Sequence, residues 1–167
     1  MSFTLDVKKF ADSFIDGAEE AVRSTTIKLF SAIIQATPVD EGRARGNWFT
    51  TGETPSARVD ENIIDKSGKK AENQAKSTIT KLTNWDVFTL TNNLPYITTL
   101  ENGGYPDPVK NGTRINATGT RKNPITPIYE KRSKSGYSKQ SPNGMVRVNI
   151  MRFNRLLTIE ARKNLPK

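Results

Sequence analysis

One stretch constrains the fold more than any other: over residues 6–36 the apolar side chains recur with the period of an α-helix, and a proline then stops them. Val7, Phe10, Ala11, Phe14, Ala18, Ala21, Val22, Leu29, Ile33 and Ala36 are separated by steps that sum to threes and fours. That spacing places them along one face of a long helix. Thr4 or Asp6 is the expected cap at its start, and Lys9 leaves a capping box incomplete. Gly17 weakens the middle by about 1 kcal/mol relative to Ala, so a bend or break is expected there. Thr37-Pro38 ends the helix, because the residue before a proline avoids the helical region. The stripe reads as a core face, and the helix is long enough for one end to reach a neighbouring subunit.

The rest of the chain must supply the partner surface for that stripe, and it has little apolar material to spare. With 34% hydrophobic and 26% charged residues among 167, one domain over residues 1–167 with a modest core and long loops is expected. No run approaches the 18 apolar residues of a membrane span, so no membrane partner is expected. The opening Met1-Ser-Phe-Thr-Leu-Asp-Val-Lys-Lys9 lacks the basic-then-apolar order of a secretory signal. The sequons at Asn111 and Asn116 are therefore expected to go unmodified. Cysteine and histidine are both absent. Disulfides, thiolate nucleophiles, histidine acid–base chemistry and nearly all zinc sites go with them.

Beyond the helix, Val39 to Gly46 reads as a tight connector. Asp40 is placed to accept backbone N–H groups in a turn, Gly42 and Gly46 permit positive φ, and Arg43 and Arg45 lie within reach of Asp40 and Glu41. Residues 47–51 then read as a strand with Trp48 as its buried anchor. Residues 54–60 form a loop. Over residues 67–82, Ala71, Ala75, Ile79 and Leu82 mark a helix poor in large apolar groups, suited to the surface of a sheet. Residues 85–91 alternate as a second strand, with Trp85, Val87, Thr89 and Thr91 on one face and Phe88 and Leu90 on the other. After a turn at Asn92-Asn93, residues 94–101 read as a short helix with Pro95 in its first turn and Gly103-Gly104 closing it. Residues 142–164 read as a C-terminal helix capped by Ser141 or Asn143. Met145, Val148, Arg152, Leu156 and Ile159 share one face of it, and Phe153 and Leu157 widen the stripe. The fold class expected is α+β: a long N-terminal helix and a C-terminal helix packed on a small antiparallel sheet.

Charge is placed unevenly. Residues 1–104 carry 12 Lys/Arg against 14 Asp/Glu, and residues 105–167 carry 14 against 3, so the net +9 is −2 in the first part and +11 in the second. Residues 105–141 are the extended basic loop of this reading, with Ile125 to Tyr129 as a brief edge strand inside it. Tyr105, Tyr129 and Tyr137 are interleaved there with Lys110, Arg114, Arg121, Lys122, Lys131, Arg132, Lys134 and Lys139. Such interleaving suits contact with nucleic-acid phosphates and bases, and equally with acidic surfaces of other subunits. Positive side chains on a solvated loop also serve solubility alone.

Motifs for chemistry are sparse. No GxxxxGK or GxGxxG loop and no calcium-loop spacing is present. Asp60, Glu61 and Asp65 form the nearest acidic cluster and read as a solvated helix start rather than a magnesium site. No helix-turn-helix, RNA-recognition or zinc-finger pattern supports sequence-specific reading of nucleic acid. No catalytic, cofactor or metal residue is assigned, and the chain is not expected to be an enzyme.

Three turn-rich blocks remain: Ala36-Thr-Pro-Val-Asp-Glu-Gly-Arg-Ala-Arg-Gly-Asn-Trp-Phe49, Asn92-Asn-Leu-Pro-Tyr-Ile-Thr-Thr-Leu-Glu-Asn-Gly-Gly104 and Gln140-Ser-Pro-Asn-Gly-Met-Val146. In this order they resemble the tail-completion, or neck, proteins of long-tailed bacteriophages, the head–tail joining group. This chain has Glu41 where Thr is usual in that group, Ile97 where Ala is usual and Ser141 where Ala is usual. The matching positions are Pro38, Asp40, Gly42, Arg45 and Trp48 in the first block, Pro95, Tyr96, Glu101 and Gly103 in the second, and Pro142, Gly144 and Met145 in the third. The resemblance implies a structural virion protein, assembled in the bacterial cytoplasm into a sixfold ring around the DNA channel. Its implied partners are further copies of itself, the head-closure proteins and the tail terminator, with non-specific contact to channel DNA. The alternative the residues leave open is a small basic nucleic-acid-binding protein, which accounts for the charge but not for the ordered blocks.

Overall fold

The computed structural model describes residues 3–83, 87–104, 116, 119–127 and 136–166. Helix α1 (Phe3–Ala36) is the frame against which four of the other helices pack. It starts three residues earlier than the periodicity predicts, so Thr4 and Asp6 sit inside its first turns rather than capping them. The helix runs on through Gly17 without a break. A Cβ at that position would collide with the backbone carbonyl of Asn164, so the glycine is what lets the end of the C-terminal helix approach α1. The expected stop holds at Thr37-Pro38.

The connector after α1 contains a one-turn helix, α2 (Arg43–Gly46), where only a turn was expected. Gly42 precedes it with φ at +95°, as a left-handed position requires. Gly46 is helical rather than at positive φ, and it is small because the side chain of Ile63 presses on it. Strand β1 is Phe49–Thr51, two residues shorter than expected. Asn47 is diverted from the strand: its amide donates to the carbonyls of Arg43 at 3.0 Å and Asp60 at 2.8 Å.

Helix α3 (Lys69–Lys81) turns Ala71, Ala75 and Ile79 inward against α1 and β1. Its start is organised by Asp65, whose carboxylate accepts the N–H groups of Gly68 at 2.9 Å and Lys70 at 2.8 Å. Asp65 is only 5% exposed, so the solvated helix start expected at Asp60, Glu61 and Asp65 is in fact partly buried. Burial raises its pKa, but hydrogen bonds from Ser67 and from the backbone of Lys70 and Gly68 outweigh this and hold it below the ordinary carboxyl range.

Strand β2 (Thr89–Thr91) pairs antiparallel with β1 in the register Phe49↔Thr91 and Thr51↔Thr89. The expected strand began at 85; residues 84–86 lie outside the described residues, and residues 87–88 are not strand. On the outer edge of β1, the side chain of Gln74 stands in for a third strand. Its Oε1 accepts the N–H of Thr50 at 3.0 Å and its Nε2 donates to the Thr50 carbonyl at 2.9 Å.

Helix α4 (Ile97–Asn102) begins two residues after Pro95, which sits in a turn ahead of the helix rather than inside it. The predicted C-terminal helix is two helices, α5 (Val146–Ile150) and α6 (Phe153–Asn164), with residues 142–145 forming a turn before them. At the break, Arg152 N–H bonds back three residues to the Asn149 carbonyl at 3.0 Å, a tightened turn. Helix α6 lies along α1 rather than on the sheet. The apolar face expected of a single helix over residues 142–164 is only partly covered: Met145, ahead of α5, is fully buried, Phe153 and Ile159 of α6 are exposed, and the buried member of α6 is Glu160. Lys28 and Lys163 hold the Glu160 carboxylate and keep its pKa low.

Among the described residues, two apolar clusters make the core. The larger joins Ile34 of α1 to Trp48, Leu94, Ile97, Leu100 and Met145; the smaller joins Phe30 to Ala75 and Ile79, with Phe88 and Leu90 packed against it. Of the expected basic loop, residues 120–123 form a turn closed by reciprocal Thr120 and Asn123 backbone bonds at 3.0 and 3.1 Å. Residues 125–127 of the expected edge strand are not strand, and residues 128–129 lie outside the described residues.

Candidate functional site: a junction of three turn-rich blocks

The three blocks, separated by up to about a hundred residues of chain, meet in one place. In the first, the Trp48 indole N–H donates to the Thr37 hydroxyl at 2.8 Å, and that hydroxyl donates in turn to the Ile33 carbonyl at 2.9 Å. Trp48 thereby plugs the end of α1 and is 6% exposed. Arg45 does not pair with Asp40 or Glu41. Its guanidinium donates to the carbonyls of Thr37 at 2.8 Å, Gln35 at 2.8 Å and Lys66 at 2.9 Å, gathering the last carbonyls of α1. Cations favour that end of a helix. Burial lowers the Arg45 pKa, opposed by the charges of Asp65 and Glu72; an arginine keeps its proton throughout. Arg43 makes a loose pair with Glu41 at 3.5 Å. Asp40 is exposed and accepts no backbone N–H among the described residues, so its expected turn role is not met.

The second block docks on the first through Asn92, whose amide donates to the Ala44 carbonyl at 2.8 Å. Leu94, Ile97 and Leu100 then close over Trp48, with Tyr96 packed at the margin and Pro95 exposed. Gly103 ends α4 at φ +75°. The third block closes the circle at two points. Gln140 brackets the backbone of Val39, its Oε1 accepting the Val39 N–H at 2.9 Å and its Nε2 donating to the Val39 carbonyl at 2.8 Å. Glu101 of the second block accepts three N–H groups at the start of α5, from Met145 at 2.7 Å, Val146 at 2.8 Å and Arg147 at 2.9 Å. Those N–H groups have no partner inside the helix, and the carboxylate also complements the positive end of the helix. Ser141, the expected cap, instead donates to the Gly144 carbonyl at 2.6 Å. Pro142 is exposed and bridges to Gly144. Gly144 sits at φ +80°, and a Cβ on it would stand 2.5 Å from the Glu101 carbonyl.

Chemically, this arrangement holds its polar groups still. Arg45, Glu101 and Gln140 are each committed to backbone partners in another segment of the chain: Arg45 to Gln35, Thr37 and Lys66, Glu101 to residues 145–147, and Gln140 to Val39. Among the described residues, no group of His, Cys, Asp or Glu could hold a metal ion, and no helix is long and apolar enough to cross a membrane.

Of the candidate partner-contact cations, Arg121, Lys122 and Lys139 are exposed on turns, the last beside Gln140. Lys110, Arg114, Lys131, Arg132 and Lys134 lie outside the described residues. Arg147, not among the expected contacts, donates to the Tyr137 hydroxyl at 2.9 Å and the Asn143 carbonyl at 3.1 Å; the Tyr137 bond raises its pKa. Gln74 and Gln140 are structural residues that sequence reasoning did not assign a role, and Thr37 and Asp65, read as a helix end and a solvated helix start, are in addition buried hydrogen-bonding groups.

No family model, curated protein or solved structure matches the chain.

Proposed function

We propose that this chain is a structural, non-catalytic virion protein of a bacteriophage neck, completing the tail and joining it to the head as one subunit of a sixfold ring around the DNA channel. The observation that carries the reading is the convergence of the three blocks that resemble the head–tail joining group. Glu101 reaches the start of α5, Gln140 brackets Val39 and Asn92 holds Ala44, so residues distant in the chain serve one junction. The head-closure proteins and the tail terminator are the ring's neighbours in this reading.

The C-terminal excess of positive charge is assigned first to docking against acidic surfaces of those neighbours. Contact with channel DNA is non-specific and confined to side chains within about 8 Å of the phosphates at physiological salt. A channel that must release DNA quickly gains nothing from tight binding.

Immunogold labelling of virions and of purified tails tests the reading. Gold is expected at the head–tail vertex, and labelled tails are expected to carry a ring at their upper end. Absence of the chain from virions and tails, together with tight DNA binding by the isolated protein in a mobility-shift assay, would replace this reading with that of a small nucleic-acid-binding protein.

A further inference from the structure

Every residue from 6 to 16 is exposed, although this part of α1 carries a strong apolar pattern. Val7 is 50% exposed, Phe10 60%, Phe14 47% and Ile15 56%. Val7, Phe10 and Phe14 follow one another at three and four residues, so they share a face, while Asp12 and Asp16 fall on the opposite one. An amphipathic helix whose apolar side stays in water is the signature of a surface awaiting a partner. Among the described residues, the last turn of α6 meets α1 at Gly17, just beyond this stretch.

A second uncovered apolar patch lies where α5 meets α6: Ile150 is 54% exposed, Met151 82% and Phe153 36%. The two surfaces differ in charge. Residues 3–20 hold five acids and two lysines, whereas residues 146–155 hold three arginines and no acid. Opposite net charges steer two such surfaces together even where the charges do not touch. They cannot meet within one copy. The patch adjoins Asn149, whose amide reaches the Ala32 carbonyl at 3.4 Å. Ala32 lies about 33 Å along α1 from Phe10 at the rise of an α-helix.

We infer that the first turns of α1 are a docking arm, and that its occupant is a second copy of this chain, which receives the arm on the patch formed by Ile150, Met151 and Phe153. Each copy gives an arm and accepts one through a different surface. Such a head-to-tail contact repeats around a ring when its rotation closes. The inference rests on the ring reading above and names the surfaces that would build the ring.

The lack of native cysteine makes the pairing directly testable, since Phe10→Cys and Met151→Cys each introduce the sole thiol of their protein. The two singly substituted proteins are mixed in equal amounts, oxidised gently and resolved without reductant. The expected product is the mixed dimer carrying a 10–151 bond, in severalfold excess over either homodimer. In parallel, Phe10→Ser with Phe14→Ser is expected to shift the sedimenting species to monomer with an unchanged circular dichroism spectrum, both side chains being exposed. A dominant Phe10→Cys homodimer would mean that arms pair with arms, and would overturn the inference. So would an oligomeric wild type that yields no mixed bond; in both cases the ring reading survives. A wild type that stays monomeric at every concentration and gives no mixed bond also overturns the arm–patch contact. The neck assignment falls separately, on the virion labelling described above.

Discussion

The carboxylate of Glu101 accepts the backbone N–H of Met145 at 2.7 Å, so the last turn of α4 organises the first turn of α5. Two further N–H groups, those of Val146 and Arg147, share the same carboxylate. Removing it leaves three donors without their partner. Glu101→Ala is expected to lower the free energy of unfolding by about 1–2 kcal/mol, the usual size of a lost helix cap. Urea denaturation would measure it. Glu101→Gln, which keeps one acceptor oxygen, should fall between wild type and alanine.

Trp48 joins two kinds of stabilisation, apolar burial and a hydrogen bond to Thr37. Trp48→Ala is expected to cost about 3–5 kcal/mol, as for other large-to-small changes in a core. Trp48→Phe keeps most of the burial and loses the donor, leaving a smaller deficit of about 1 kcal/mol from the hydrogen bond. Thermal unfolding of the pair separates the terms. An unchanged melting temperature for Trp48→Ala would remove Trp48 from the core.

Gly144 and Gly104 both have positive φ but differ in their surroundings. Among the described residues, nothing lies within 4 Å of a Cβ added at Gly104, whereas at Gly144 the Glu101 carbonyl stands 2.5 Å away. Gly104→Ala should therefore cost only the backbone strain, about 1–2 kcal/mol. Gly144→Ala should cost distinctly more and should disturb the Glu101 cap as well, visible as loss of amide protection at residues 145–147. Equal costs would show that the collision is relieved by movement.

How much of this was legible in the chain depends on range. The end of α1 at Pro38, the positive φ of Gly42 and the burial of Trp48 all follow from neighbours within a few residues, and local pattern found them. The Glu101 and Gln140 contacts join segments 44 and 101 residues apart, and no period or turn signal carries that information. Gly17 looked like a weak point because propensity counts only its own helix. Its packing partner, Asn164, belongs to another. The split between α5 and α6 was missed because the apolar spacing runs on through Met151 and Arg152 without a breaker residue. The blocks themselves were visible; that they close on one another was not.

Asp65 and Glu160 both have depressed pKa values in the folded protein. A carboxylate of this kind contributes stability that is fully present above its unfolded value, about 4 for these residues, and is lost as pH falls through the lower folded value. The melting temperature should hold near neutrality and fall below about pH 4. Asp65→Asn should flatten that decline while lowering stability at pH 7. A parallel, equally steep decline in the variant would assign the acid sensitivity elsewhere.

Arg121→Ser and Lys122→Ser, combined with Lys131→Ser and Arg132→Ser, should leave the melting temperature within about 0.5 kcal/mol equivalent of wild type, the usual range for surface changes. Arg121 and Lys122 are exposed on the Thr120–Asn123 turn. If the charge docks the chain on its neighbours, head–tail joining should fall, read as infectious particles per free tail. Wild-type yields would make these side chains passive.

The amide of Gln74 on Thr50 has a consequence for any assembly of identical subunits that this chain would build. A two-stranded sheet with an open edge invites a strand from the next molecule, and closely packed copies would supply one at very high local concentration. Gln74 occupies both backbone groups that Thr50 would offer on that side. Growth by adding strands at this edge, the route to unlimited aggregates, is blocked by one side chain. Copies that meet here must recognise one another by shape and side chain, which is the kind of contact that can stop at a fixed number.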